Sequence, residues 1–171
     1  MRFNRILFTL VALACAAVLA VALYMEYGMG LEPCPLCMLQ RMAFVGLGLV
    51  ALLVALIGPT GWGVRLGGAL MLIPALTGAG LAGRQLWLQS LPADRIPPCG
   101  PGYDYLRETF PLTEVIRLAL EGSGDCAEVQ WQFLGLSIAG WSFVLFAGAA
   151  LVGLGLLVAG SGRQRDGLLE W

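Results

Sequence analysis

Five cysteines, Cys15, Cys34, Cys37, Cys99 and Cys126, stand in a chain that has no histidine. Without histidine the usual general base and the commonest metal ligand are gone. Chemistry here must run on cysteine, arginine, carboxylates or a bound cofactor. Cys34-Pro35-Leu36-Cys37 is a C-x-x-C pair at the mouth of an apolar stretch. Pro35 suits the first position of a helix, which puts Cys34 near the N-cap and Cys37 in the first turn. The positive end of the helix favours negative charge, and the thiolate is the reactive form of cysteine. Spacing and position read as a redox-active dithiol. Three bland readings stand beside it. A plain stabilising disulfide is one, although so small a ring gains little from loop entropy. A four-cysteine zinc site would need a second close pair, and Cys99 and Cys126 lie far apart in sequence. Chance spacing is the third.

Arg41 lies four residues after Cys37, one turn further along the same helix face. An arginine inside or at the edge of an apolar span is expensive and marks function by default; snorkelling to the interface is the alternative. Beside a thiol, its charge favours the thiolate. It can also donate hydrogen bonds to an anionic acceptor, and a quinone gaining electrons on its carbonyl oxygens is one. Gln40 adds a neutral polar group next to it. Cys99 and Cys126 sit in a long loop, where a purely structural bridge between them would contribute roughly 3–4 kcal/mol. Cys15 lies mid-span and reads as a small hydrophobe with no role.

The elements that hold these residues are written in the composition. The 171 residues are 58% hydrophobic and 12% charged, against about 25% charged in soluble domains, so lipid is the main solvent. Four stretches, near 6–25, 36–57, 65–88 and 136–160, reach the roughly 20 apolar residues that cross a bilayer. The whole chain, 1–171, is expected to form one four-helix membrane domain. Glycines such as Gly46, Gly48, Gly78, Gly80, Gly148 and Gly153 allow close helix approach in lipid. Pro74 should kink the third span. Arg2 and Arg5 ahead of the first span also suit a cleaved signal peptide, but the apolar run continues to Tyr24 without a clear cleavage motif. No basic patch suggests a nucleic-acid partner. All ten basic residues are arginine, which is a bias and not chemistry.

Arg2, Arg5, Arg65, Arg163 and Arg165 fall at the termini and the loop between spans two and three, which are cytoplasmic by the positive-inside rule. Both termini are then inside. A short loop near 26–35 and a long one near 89–135 face outward, with most of the carboxylates and four of the five cysteines, in a compartment that oxidises thiols. Tyr24, Tyr27, Trp87, Trp131 and Phe133 suit the outer interface. Pro111–Glu121 reads as a short amphipathic helix, with Leu112, Val115, Ile116 and Ala119 opposite Glu114, Arg117 and Glu121. It can lie on the membrane surface or pack on its own domain. The fold class is all-α: a four-transmembrane-helix bundle whose long periplasmic loop carries that helix.

Pro33-Cys34-Pro35-Leu36-Cys37 with Gln40-Arg41, then Cys99, then Gly124-Asp125-Cys126-Ala127-Glu128-Val129-Gln130-Trp131-Gln132-Phe133-Leu134-Gly135, resembles the DsbB family of bacterial disulfide-bond formation proteins. The stretch around Cys126 is far more specific than C-x-x-C alone, and with the four spans the resemblance covers nearly the whole chain. It implies an inner-membrane enzyme, a protein-dithiol:quinone oxidoreductase. Such an enzyme oxidises a DsbA-like thioredoxin-fold partner and reduces ubiquinone or menaquinone. It implies redox disulfides Cys34–Cys37 and Cys99–Cys126. Cys99 would form the mixed disulfide with the partner, Cys126 would exchange with Cys34, and Cys37 would face the quinone beside Arg41. No metal is implied. Two departures stand out: some members carry Glu at the position of Gln40, and some have His where this chain has Ser90. Neither touches the thiol relay.

The logic holds apart from the resemblance, because thiol–disulfide exchange is thiolate attack along a line of sulfurs. A long loop has the reach to meet a soluble donor and then the helix mouth, and the C-x-x-C sits where a lipid-soluble quinone can approach. Competing readings are a vitamin K epoxide reductase-like enzyme, a paralogue with a dedicated partner, and a passive four-span protein with structural disulfides. The last leaves Arg41 below a C-x-x-C unexplained. A metal-handling protein is disfavoured by the absence of histidine.

Overall fold

The computed structural model describes residues 2–58, 60–98, 105, 108–109 and 111–166. Cys99 lies outside them, as does most of the segment that follows it. Helices α1 (Arg2–Tyr27), α2 (Pro35–Ile57) and α3 (Trp62–Gln89) come first. A 3-10 turn (Ala93–Arg95), α4 (Leu112–Glu121) and a single turn, α5 (Gly124–Ala127), follow. A two-stranded hairpin, β1 (Gln132–Phe133) and β2 (Leu136–Ser137), leads into α6 (Ile138–Asp166). Among the described residues, the four long helices are long and apolar enough to cross a membrane. The chain is an all-α membrane protein built on a four-helix bundle, as its apolar stretches imply.

Local chemistry sets the helix ends. Cys34 is the extended N-cap of α2, with Pro35 at the first helical position. Gly58 ends the helix in the left-handed region, φ 67°, and returns its N–H to Val54 O. Ser137 caps α6 through its hydroxyl, which accepts from the Gly140 N–H at 3.2 Å. The helix α3 runs on through Pro74.

α3 packs most extensively against α6, α1 packs on α2, and α2 on α3. In lipid the gain comes from close packing and not from leaving water. A Cβ on Gly68 would meet Gly153 O at 2.7 Å, so two backbones touch between α3 and α6. Gly78 accepts the Phe146 ring, which stacks on Phe44 of α2 with centroids 3.9 Å apart. Leu13, Leu53, Leu56, Ile73, Leu151 and Val158 point outward. In water that belt would be an aggregation surface, whereas hydrocarbon satisfies it.

The α4 helix rests on the bundle through buried Val115 and Ala119 and leaves Ile116 and Leu120 exposed. Arg84 of α3 holds its C-terminal end: the guanidinium donates to Leu120 O (3.4 Å) and Glu121 O (3.1 Å) and sits 4.3 Å over the Trp87 ring.

The hairpin was not expected from the sequence. Its tip places Leu134 at φ 51° and Gly135 at φ 79°, two positive values in succession as a type I′ turn requires. Gly accepts this freely, but a leucine there is strained.

Candidate active site

The sulfurs meet where the N-terminus of α2 faces the long connection between α3 and α6. As N-cap, Cys34 accepts the Cys37 backbone N–H at 3.3 Å. The Cys34 and Cys37 sulfurs are 2.9 Å apart as hydrogen-bonded thiols. The single turn α5 carries Cys126, fully buried, into the same closed cluster as Cys34. A backbone N–H of Leu36 also reaches its sulfur, and the Ser123 hydroxyl lies 3.8 Å away. Leu36, Leu81, Leu88 and Ala127 close around the sulfurs. Cys34, Cys37 and Cys126 are all thiols in this structure, and with Cys15 they are the free cysteines among the described residues.

The close approach of the sulfurs shifts Cys34 and Cys126 in opposite directions. Cys34, beside Cys126 and Cys37 and buried, has its thiol pushed well above the ordinary cysteine range. Cys126 lies beside Cys34 and the backbone N–H groups of Leu36 and Ser123, and these outweigh its burial, bringing it down to about 6.

Gln85, from the last turns of α3, was not singled out in the sequence. Its Nε2 lies 3.4 Å from Cys37 Sγ and 3.5 Å from Cys34 Sγ. Its Oε1 accepts from Gln40 Nε2 at 2.7 Å. The available signal was a lone amide in an otherwise apolar span, costly in lipid and hence suspect.

Arg41 was expected to favour the Cys37 thiolate. Instead its guanidinium turns toward α1, pairing with the Glu26 carboxylate and donating to Ala22 O at 3.1 Å and to Met38 Sδ at 3.7 Å. The i, i+4 relation places Arg41 on the right face, but the pull of a carboxylate on the neighbouring helix decides where its long side chain ends.

Beside this cluster a cavity of 430 Å³ opens between α1, α2 and the hairpin. Cys37, Gln40, Arg41 and Gln85 form its polar end, Val18, Val21 and Ala22 its apolar wall, and Trp131, Phe133 and Trp141 stand at the hairpin side. The last three form a run of ring contacts, and the Trp141 indole donates to Phe133 O at 3.1 Å. Its size lies in the usual range for small-molecule pockets, roughly 300–1,000 Å³. An apolar wall ending in hydrogen-bond donors fits a lipid-soluble ring that carries polar oxygens. Among the described residues, no group of His, Cys, Asp or Glu side chains is arranged to hold a metal ion.

A four-helix membrane bundle that gathers three thiols at one helix mouth defines a membrane thiol–disulfide oxidoreductase. The chain belongs to the DsbB family: the family model described as "Disulfide bond formation protein DsbB" matches residues 4–156. Disulfide bond formation protein B of Marinobacter nauticus is 59% identical over 155 residues, covering 91% of each chain. The protein of the same name from Chromobacterium violaceum is 50% identical over 164 residues, 96% of each chain. That from Hahella chejuensis is 53% identical over 149 residues, 87% of this chain and 90% of its own. The chain is thus a bacterial membrane protein of disulfide bond formation.

Proposed function

We propose that the chain re-oxidises a soluble DsbA-like thioredoxin-fold dithiol protein in the periplasm and delivers the electrons to a membrane quinone. It acts as one membrane domain, 1–171, in the inner membrane, with both termini in the cytoplasm. Cys99 takes the partner's thiolate, the Cys99–Cys126 disulfide opens, and the Cys126 thiolate attacks Cys34 of the Cys34–Cys37 disulfide, freeing the Cys37 thiolate. The partner's second thiolate then releases the oxidised partner from Cys99, and the Cys99 thiolate attacks Cys126 and frees Cys34. Each step breaks one S–S bond, forms another and moves the electron pair to the next sulfur. The observation that carries the reading is the contact of Cys126 with Cys34 while Cys37 lines the cavity.

Ubiquinone or menaquinone, bound in that cavity, supplies a two-electron acceptor. Arg41 and Gln85 would hold its polar end, and Val18, Val21 and Ala22 its apolar part. The hairpin aromatics and the closed sulfur cluster limit the access of water to the thiolates.

The test adds purified protein in detergent to a reduced thioredoxin-fold partner and a quinone, and follows quinone reduction spectroscopically. Turnover is expected in the wild type and absent in Cys34→Ser and Cys37→Ser. Full turnover in Cys37→Ser would remove Cys37 as the cavity-facing thiol. A wild type that oxidises the partner with no quinone consumed overturns the choice of acceptor.

A further inference from the structure

Two side-chain amides stand beside the sulfurs, Gln40 at 3% and Gln85 at 4% exposure. Gln40 Nε2 donates to Gln85 Oε1 at 2.7 Å. That bond draws the Gln85 carbonyl toward Gln40, although Cys37 Sγ also lies 3.6 Å from it, and sets the NH₂ nearer the sulfurs, 3.4 Å from Cys37 and 3.5 Å from Cys34. Turning the Gln85 amide over would set its NH₂ against the NH₂ of Gln40, two donors with nothing between them. The orientations of the two amides are thus coupled, and with Gln40 donating, the NH₂ is the end of Gln85 nearer both sulfurs. Arg41, the cation nearest in sequence, is engaged with Glu26, so the donor at the sulfurs is neutral.

We propose that Gln85 is a catalytic hydrogen-bond donor to the Cys34–Cys37 pair, and that Gln40 is the positioning residue that fixes its polarity. The inference rests on the reading of that pair as a redox centre. When a thiolate attacks Cys34 Sγ, the Cys34–Cys37 bond breaks, a new bond forms at Cys34, and the electron pair leaves on Cys37 Sγ. An N–H aimed at that sulfur binds the anion far more strongly than the neutral disulfide. It stabilises the reduced form over the oxidised one and makes the pair a better electron acceptor. A neutral amide does this without burying a second charge.

The experiment is a redox titration of the full-length protein in detergent, with each cysteine's state read by alkylation and peptide mass spectrometry. Gln85→Leu should lower the equilibrium constant for reduction of Cys34–Cys37 roughly tenfold or more, about 30 mV in potential. Gln40→Leu frees the amide to turn and should give a smaller shift of the same sign. Gln40→Glu is the deciding variant. It keeps a hydrogen bond between the two side chains but makes position 40 an acceptor, so Gln85 must turn its carbonyl toward the sulfurs. It should shift the potential at least as far as Gln85→Leu, even if Gln85→Leu fails to fold. A merely structural amide pair predicts a changed melting temperature with an unmoved potential. A wild type that titrates reversibly while Gln40→Glu matches it overturns this inference alone. A wild type whose Cys34 and Cys37 never oxidise reversibly overturns the redox reading and this inference with it.

Discussion

Cys126, from the long connection, packs with Cys34 at the N-cap of α2, sealed from solvent behind Leu36 and Leu88. In this thiol state Cys34 is pushed up, while Cys126, beside it and beside the Leu36 and Ser123 backbone N–H groups, is brought down to about 6. In an exchange reaction the attacking sulfur must be the thiolate and the attacked sulfur must be within reach. The structure, with all three cysteines as thiols, meets the second condition; the first is met once Cys126 is free of its own disulfide.

The first prediction is a pH profile. With its value brought down to about 6, Cys126 is a thiolate above that pH, and its reactivity is lost as pH falls through it. The folded value lies below that of a free cysteine, roughly 8.5. The stability this contributes is therefore complete above the unfolded value and disappears as pH falls toward 6. Cys34→Ala removes the main cause of that shift and should move the midpoint upward. The measurement is the rate of alkylation of Cys126 by a small neutral reagent against pH, read by peptide mass spectrometry. Identical midpoints in both proteins would remove Cys34 as the cause.

A second prediction separates the two thiol pairs. Cys126→Ser leaves Cys99 without its proposed resolving thiol, so a covalent complex with the reduced partner should accumulate. Cys15→Ala should not affect turnover, because Cys15 only packs against Gly48 between α1 and α2. Non-reducing electrophoresis shows the complex, and its absence in Cys126→Ser would count against Cys99 as the entry point.

The spans were legible because an apolar run of that length has few alternatives in water or lipid, and α2 begins at Pro35 as its type and place suggest. Contacts between helices were not. An i, i+4 relation says that Arg41 and Cys37 share a face, but it contains no information about Glu26 on α1, which claims the guanidinium. Gln85 looked like a polar residue near the end of a span, and only the packing of α3 on α2 brings it to the sulfurs. The hairpin was illegible for a different reason. Leucine is a poor residue for the conformation Leu134 adopts, so local preference argued against the turn. The approach of Cys126 to Cys34 came from the family resemblance and not from spacing, because nothing local links α5 to α2.

Packing between α2, α3 and α6 yields a third prediction. The Phe146 ring fills the space a side chain at Gly78 would need, and it is pinned on its other side by Phe44. Gly78→Val should destabilise the bundle by about 1–3 kcal/mol through overpacking. Phe146→Leu in the same chain should recover part of the loss. Thermal unfolding in detergent checks both. An additive double variant would mean that the two positions do not press on one another.

Arg41 and Glu26 provide the last prediction. A guanidinium has five N–H donors, and three are engaged, by Glu26, Ala22 O and Met38 Sδ. Two therefore remain for a ligand in the cavity that Arg41 lines, with the ion pair holding the planar fork in place. Lysine keeps the charge, but its donors all sit on one nitrogen at the end of a flexible stem. It cannot span Glu26, the α1 backbone and a ligand carbonyl as the planar fork does. Arg41→Lys should weaken apparent quinone affinity or rate by roughly 10- to 150-fold, the effect of losing a charge-assisted hydrogen bond. Glu26→Gln keeps an acceptor but loses its charge, so the fork loosens and a smaller loss of the same sign should follow. Combining the two should give less than the product of their effects, since they act on one interaction. Mixed-disulfide formation between Cys99 and the partner should stay near the wild-type rate in all three. Quinone-dependent turnover and mixed-disulfide formation must be measured separately. If quinone kinetics are unchanged in Arg41→Lys, the arginine only ties α2 to α1. If both steps fall together, the pair supports the fold and the cavity loses its proposed anchor.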